Sequence, residues 1–305
     1  MDFFVQQLVN GVTLGSVYAL LAIGYSIVYG VLGLLNFAQG EVYMVGAFVG
    51  FFVLTGLGGP DALAVPVAVA LPLMVVAAAL GAGALNVAIE RVAFRPLRDA
   101  PRIAPLITAL GVSFFLQNAV LLMLGPNIRS YRASTYIPFT TGIHAGPLNI
   151  SLIRIIVIVS TAALMVVVTL LVNRTSFGRR MRAVSYDREA AQMVGIDIDR
   201  TIVSAFFLGG VLAGIAGVLA GLAYSRVFQL MGLAAGLKAF TGAVVGGIGS
   251  IPGAMAGGML VGLAESFTSA YISSTFQNLI VFALLIVVML VRPTGLFGAA
   301  TIGKV

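Results

Sequence analysis

Few side chains in this 305-residue chain could carry out covalent or metal chemistry. The sequence holds no cysteine and one histidine, so we expect neither disulfides nor a thiolate or histidine metal site. It contains no Gly-x-x-x-x-Gly-Lys-Ser/Thr phosphate loop, and its few acidic residues form no credible catalytic triad or carboxylate pair. We therefore expect that this chain is not an enzyme and that it binds no metal or cofactor.

Polar residues interrupt the apolar sequence between residues 30 and 41. Asn36, Gln39 and Glu41 stand there among three glycines. Polar groups at membrane depth are costly unless they face protein or a water-filled path. The three side chains are therefore candidates for a transport pathway. A short extramembrane turn at 30–41 is the alternative, and Glu41 could equally cap a helix that begins near Val42.

A second interruption, at residues 246–253, consists largely of glycine, serine and proline. A straight helix would accommodate this run poorly. Transporters often place paired broken helices around the substrate route, so we add Gly246, Gly249 and Gly253 to the candidate pathway. The alternative is close helix packing, because glycine pairs four residues apart recur from 242 to 262.

The loop at residues 173–201 combines charged side chains with a helical pattern. Residues 185–193 suit a short amphipathic helix, which Gly195 would end in a left-handed conformation. Two adjacent alanines give this helix a small surface that another protein could approach closely. The pattern predicts a docking element for a cytoplasmic partner. The candidate docking residues are Arg182, Glu189, Ala190, Ala191 and Gly195.

The elements that carry these residues must be membrane helices. Sixty per cent of the residues are hydrophobic and nine per cent are charged, against roughly 25% charged residues in a soluble domain. Long apolar runs approach or exceed the roughly 20 residues that span a bilayer as a helix. The sequence predicts an all-α polytopic bundle, a single transmembrane domain over residues 1–305, with some segments broken or re-entrant. The eight predicted segments are 5–29, 37–57, 62–88, 104–124, 152–172, 202–224, 239–265 and 274–291.

Arginine placement predicts the orientation of the bundle. The loops at 89–103 and 173–201 contain four and six arginines, and the connection at 125–151 contains two. By the positive-inside rule the first two loops are cytoplasmic and the third is external. Simple crossings would leave both chain ends outside, so a re-entrant pair of half-helices in 239–265 is the favoured way to return the C-terminus to the cytoplasm.

Two charged residues flank the second interruption. Lys238 stands at a segment start and is most simply an anchor at the membrane interface. Glu265 lies near a segment end, where snorkelling or a bond to a neighbouring helix is favoured over contact with substrate. Near the first cytoplasmic loop, Glu90 and Arg91 suggest an interfacial ion pair.

Several stretches resemble one family of transport proteins. Glu-Ala-Ala at 189–191, followed by three residues and then by Gly195, resembles the coupling loop of bacterial ABC importer permeases. The Leu-Pro that often follows in that motif is missing, as is usual in the branched-chain amino acid permease family. Gln39 stands where members of that family often carry His. Further stretches resemble the family at residues 10–20, 36–44, 89–98, 236–241, 246–254 and 292–298.

The resemblance, to the LivH-type subunit of that family, covers the whole chain and implies an importer of several subunits. Such a permease translocates leucine, isoleucine and valine across the bacterial inner membrane. It is expected to act with a second, related permease, two ATP-binding subunits that use the ATP, and an extracytoplasmic amino-acid binding protein. The Glu-Ala-Ala segment would then touch the ATP-binding subunits.

Other functions remain open from the sequence. Related permeases carry urea, short amides or other small amino acids, so the substrate does not follow from the residues. A secondary transporter driven by an ion gradient belongs to a different class. Paired acids and bases within the membrane would favour that alternative. Of the acidic residues, Glu41 stands at plausible depth for such a role. Co-purification with ATP-binding subunits would distinguish these classes.

Overall fold

The computed structural model describes residues 2–61, 63–98, 100–101, 103–137, 142–145 and 148–298, which form a helical bundle. A two-stranded antiparallel hairpin, β1 (Gly142–Ala145) and β2 (Leu148–Ser151), joins α5 to α6. The helices are α1 (Asp2–Leu32), α2 (Gln39–Gly56), α3 (Val67–Ile89), α4 (Ile103–Leu124), α5 (Ala133–Tyr136), α6 (Leu152–Arg174), α7 (Ser176–Tyr186), α8 (Arg188–Met193), α9 (Ile198–Tyr224), α10 (Met231–Gly246), α11 (Ile251–Tyr271) and α12 (Gln277–Val291).

The predicted all-α membrane bundle is confirmed. Within the described residues, seven helical segments are long and apolar enough to cross a membrane, and α10 is a shorter apolar helix. The 21 residues of α11 extend about 32 Å, which is also enough to span the hydrocarbon core. Seven of the eight predicted segments match one helix each, whereas 239–265 comprises α10 and α11.

The break between α10 and α11 follows from its residues. Gly247 and Gly249 have φ values of 109° and 88°, which favour glycine. The side chain of Ser250 then accepts a hydrogen bond from the N–H of Gly253 (3.2 Å), and Pro252 lies in the first turn of α11. The chain therefore reverses here as predicted. The expected pair of half-helices is wrong in one respect, since α11 has full length.

Glycines let the central helices approach at backbone distance. A methyl group at Gly262 would lie 2.2 Å from Cα of Gly15, and one at Gly46 would lie 2.4 Å from Cα of Gly214. These contacts join α1 to α11 and α2 to α9. Because lipid supplies no hydrophobic drive for helix association, such close packing holds the bundle together. Buried α1 lies at its centre, packed mainly on α11, α9 and α10.

The first and last thirds of the chain repeat the same pattern. Leu32 ends α1 and Tyr224 ends α9; Gly33 and Ser225 follow with φ values of 67° and 53°. The next helices, α2 and α10, then begin at Gln39 and Met231. The two helix ends, the two left-handed residues and the two helix starts are each separated by 192 residues. The counterpart of the break at 33–38 is thus 225–230, and not 246–253, which was paired with it from sequence.

The two copies run in opposite directions. Gly24 of α1 lies beside Gly209 of α9, whereas the earlier Asn10 shares a cavity with the later Tyr224. Helix α1 is therefore antiparallel to α9. Contacts of Gly46 with Gly214, and of Gly50 with Val218, show that α2 is parallel to α9. The fold is consequently an inverted repeat, an arrangement found in many transporters.

The two ends of the bundle carry different segments. Arg188 of α8 contacts the last turn of α1, and the N–H of Phe297 bonds to Gly246 at the end of α10. This end holds the arginine-rich loops and is named the cytoplasmic end below, after the orientation that the positive-inside rule predicts. At the opposite, outer end, the ring of Phe3 contacts that of Tyr271, and the backbone of Arg129 forms an antiparallel bridge with that of Val227. The described C-terminal segment lies at the cytoplasmic end and the N-terminal helix begins at the outer end.

Candidate functional site

Three amide side chains form a hydrogen-bonded cluster inside the bundle. Asn36 donates to Oδ1 of Asn86 (3.2 Å), and Asn86 donates to Oε1 of Gln39 (3.2 Å). Asn86 also donates to the carbonyl of Phe206, and Gln39 donates to that of Gly209, both at 2.7 Å. All three amides are at most 2% exposed. The cluster ties the α1–α2 connection to α3 and α9, so Asn36 and Gln39 lie inside the bundle.

Asn86 is a member of the cluster that was not predicted from the sequence. It is the one side chain of α3 with hydrogen-bonding groups of this kind, in a helix that otherwise consists of aliphatic residues, methionine, glycine and proline. A lone amide in a membrane helix is expensive unless it is bonded within the protein. That rule would have identified it before the structure was known.

Glu41 lies in the first turn of α2, fully buried. Ser113 of α4 donates to its Oε1 (3.2 Å), whereas Oε2 has no hydrogen-bond partner among the described residues. The first turn of α10 approaches closely, because a methyl group at Gly232 would lie 2.4 Å from Oε2. The carboxylate therefore lies beside the N-terminal turns of two helices, α2 and α10.

The remaining candidate pathway residues lie in a separate group. Gly246 and Gly253 pack backbone against backbone where α10 reverses into α11. Gly249 has open space around its α-carbon and lines a small cavity that Ser26 and Arg182 also line. The fourteen residues of α10 that separate this turn from Gly232 extend about 21 Å. The structure thus separates the turn at 246–253 from Glu41 along the length of α10.

The docking element consists of two helices, α7 and α8. Asp187 adopts an extended backbone between them, and its side chain accepts a hydrogen bond from the N–H of Ala190 (3.1 Å). The prediction of one helix over residues 185–193 is therefore wrong, because Asp187 caps a new helix there. Gly195 has the predicted left-handed conformation, with φ 81°. Glu189 and Ala190 are exposed, whereas Ala191 is buried.

Two arginines attach the docking element to the bundle. Arg188 donates to the carbonyls of Val31 (3.2 Å) and Leu32 (2.8 Å), which are unpaired groups at the end of α1. Arg182, whose side chain was a candidate docking residue, donates to the carbonyl of Val172 in α6. A cation at a helix C-terminus is favoured by the helix dipole. Arg188 was missed from sequence, since nothing in the chain pattern shows that α1 ends beside it.

A partly buried ionic network lies at the cytoplasmic end of α3. Glu90, fully buried in a π-helical turn, pairs with Arg98, and Arg98 also pairs with Asp199 of α9. Arg95 contacts the same Asp199 at 2.6 Å. The expected pair between Glu90 and Arg91 is wrong, because the π-helical turn and the turn after it direct Arg98 toward Glu90 instead.

A cavity of about 600 Å³ opens among the outer ends of α1, α9, α10, α11 and α12. Lys238 and Glu265 form an ion pair in its wall and are 8% and 7% exposed. The hydroxyl of Tyr18 donates to the second carboxylate oxygen of Glu265 (2.9 Å). Lys238 is thus a buried partner of Glu265, and not the interface anchor predicted from sequence. The favoured bond of Glu265 to neighbouring helices is confirmed.

Comparisons with known proteins point to one family. A family model described as "Branched-chain amino acid transport system / permease component" matches residues 7–289. The chain is 42% identical to the high-affinity branched-chain amino acid transport system permease protein BraD of Pseudomonas aeruginosa, over 99% of this chain and 98% of the relative. It is equally identical, with the same coverage, to the permease protein LivH of that transport system in Escherichia coli.

A more distant relative is the probable branched-chain amino acid transport permease protein LivH of Methanocaldococcus jannaschii. It is 29% identical over 65% of this chain and 60% of its own length. No solved structure matches the chain.

Proposed function

The chain belongs to the family of branched-chain amino acid permease components, and from that premise we propose that it is a membrane-spanning subunit of an ABC importer. Its substrates in this proposal are leucine, isoleucine and valine, carried across the bacterial inner membrane. The observation that carries the proposal is the similarity over nearly the full length to transport permeases for these amino acids.

We further propose that ATP is bound and hydrolysed by partner subunits. The importer would contain this chain, a second related permease, two ATP-binding subunits and an extracytoplasmic binding protein. The exposed surface of α8, with Glu189 and Ala190, supports a contact with an ATP-binding subunit. Arg188 supports the same role, because it joins α8 to the end of α1 and would pass a movement of α8 to the bundle.

The proposed pathway uses the groups at the helix breaks. Among the described residues, one buried oxygen of Glu41 has no hydrogen-bond partner, and Gly249 borders a small cavity at the cytoplasmic end. Asn36 and Gln39 hold the connection between α1 and α2 in place through bonds to Asn86 and Gly209. We infer that these residues shape the route, while Gly246 and Gly253 allow α10 and α11 to meet beside it.

The test is uptake by the assembled importer in vesicles. The chain is co-expressed with its proposed partners, purified, and reconstituted with the binding protein and labelled leucine. We expect leucine uptake that requires ATP and continues when an ionophore collapses ion gradients. Uptake that needs an ion gradient but no ATP-binding subunit would refute the proposal and support a secondary transporter. Uptake of urea or short amides in place of leucine would refute the substrate assignment alone.

A paired substitution tests the docking surface. Glu189→Lys reverses a charge on exposed α8, whereas Ser134→Lys adds a charge at an exposed position of the outer end. We expect the first to reduce co-purification of the ATP-binding subunits and uptake by about tenfold, and the second to leave both unchanged. Normal association and uptake in Glu189→Lys would show that this surface does not contact the partner.

A further inference from the structure

The cavity at the outer end has the size and the walls of a small-molecule site. Its volume of about 600 Å³ falls within the roughly 300–1,000 Å³ of ligand pockets. One wall is apolar and includes Leu14, Val17 and Met231. Elsewhere the wall is polar, with amide and hydroxyl groups from α1, α11 and α12 such as Asn10 and Ser269. An amphiphilic small molecule would therefore find both kinds of surface.

The charges in the wall are unequal. Lys238, Arg154 and Arg226 supply three cations, and Glu265 supplies the one carboxylate among the lining residues. A cleft with an excess of positive charge attracts an anionic group by its field. Glu265, which Lys238 and Tyr18 already contact, is the group to which a cationic part of a ligand would bind.

Packing stability alone does not account for the Lys238–Glu265 pair. Burying two charges costs several kcal/mol per ion, and apolar residues of similar volume are often as stable or more so. Charged residues within membrane segments are rare and usually belong to a transport path. Here the pair also borders an open cavity, so its charges are within reach of a molecule that enters.

We propose that this cavity is a transient binding site for the zwitterionic part of the transported amino acid. The carboxylate binds Lys238 and Arg154, the ammonium group binds Glu265, and the aliphatic side chain lies along the wall formed by Leu14 and Val17. This assignment rests on the proposed function, which supplies the substrate. Because the amino acid must displace the existing ion pair, its binding is weak, which suits a site on a transport route.

Cysteine protection tests the site in the intact importer, since the chain has no cysteine of its own. Ser269→Cys places a thiol at an exposed position in the cavity wall, and Ser134→Cys places a matched thiol at the outer end away from the cavity. Both are labelled with anionic and cationic methanethiosulfonates, without binding protein. Each labelling rate is measured without added ligand and then with one of three compounds at millimolar concentration. These are leucine, 4-methylpentanoate, which lacks the ammonium group, and 3-methylbutylamine, which lacks the carboxylate.

We expect the anionic reagent to modify Ser269→Cys several-fold faster than the cationic one, and leucine to slow that reaction by about threefold or more. The two analogues should protect much less, and Ser134→Cys should be insensitive to all three. Equal rates with and without leucine, in vesicles that take up leucine, would overturn the site and leave the proposed function standing. Protection in vesicles that take up no branched-chain amino acid would overturn the proposed function and support the site.

Two variants separate binding from a structural role of the ion pair. Glu265→Gln, in the Ser269→Cys chain, should abolish protection by leucine while the complex stays assembled. The double variant Lys238→Met with Glu265→Met removes both charges and keeps apolar volume in their place. If the ion pair only holds α10 against α11, the double variant should show normal leucine uptake, and that result would overturn the proposal. We expect uptake to fall by about tenfold or more.

Discussion

Replacing Gly46 by alanine should force α2 away from α9. The added methyl group would lie 2.4 Å from Cα of Gly214, where ordinary van der Waals contact begins at 3.4 Å. The obstacle is backbone, so the two helices must separate by about 1 Å. Overpacking of this kind costs about 1–3 kcal/mol, and the better helix propensity of alanine returns at most about 1 kcal/mol. With the middle of that range, about 2 kcal/mol, and the full return, we expect a net loss of stability of about 1 kcal/mol.

Gly111→Ala is the matched control, because Gly111 lies within α4 and has no atom within 4 Å of the added methyl group. It should raise stability slightly or leave it unchanged. Both variants are heated after purification, and the fraction that stays monodisperse is measured by size-exclusion chromatography. A loss of 1 kcal/mol corresponds to about 2–4 °C in a protein of 150–250 residues, so Gly46→Ala should melt a few degrees lower. Equal melting temperatures for the two variants would refute the reasoning that backbone contact joins α2 to α9.

Three further predictions concern the cytoplasmic end and the orientation. Gly195→Pro should preserve membrane insertion but reduce co-purification of ATP-binding subunits, because proline cannot adopt a φ of 81°; normal association would contradict this. Ser185→Cys should be labelled from the cytoplasmic side and Ser134→Cys from outside, and the reverse result would invert the topology. Arg98→Ala should lower stability by about 3 kcal/mol, since it leaves buried Glu90 unpaired. Adding Glu90→Ala should recover much of that loss in thermal melting, and a double variant less stable than the single one would disprove this explanation.

The membrane bundle and most of its spans could be predicted from the sequence because they depend on local composition. An apolar run of about 20 residues has few alternatives to a membrane helix, and the glycine–serine–proline run at 246–253 allows no straight one. The repeat was harder to find. Gly33 and Ser225 occupy corresponding positions with the same left-handed backbone, but serine gives no signal for that conformation.

The candidate site was predictable in part, for a related reason. Asn36, Gln39 and Glu41 attract notice as polar residues in an apolar stretch, yet their partners come from distant helices. Gln39 bonds to Gly209, and Lys238 pairs with Glu265. Such pairings depend on which helices meet in three dimensions, and helix packing in lipid follows small-residue contacts that occur many times in this sequence.

The central position of α1 has a consequence for biosynthesis. This helix is made before the other described helices, but the helices that bury it are α9, α10 and α11, and α11 begins about 220 residues after α1 ends. At roughly 5–20 residues per second, α1 must remain in the membrane for about 11–44 s before its last main neighbour is translated. During that interval Gly15 and Tyr18 face lipid or the insertion machinery instead of α11. The nascent chain is therefore most open to membrane quality control while it is being completed, and a chain that stops after α8 leaves α1 exposed.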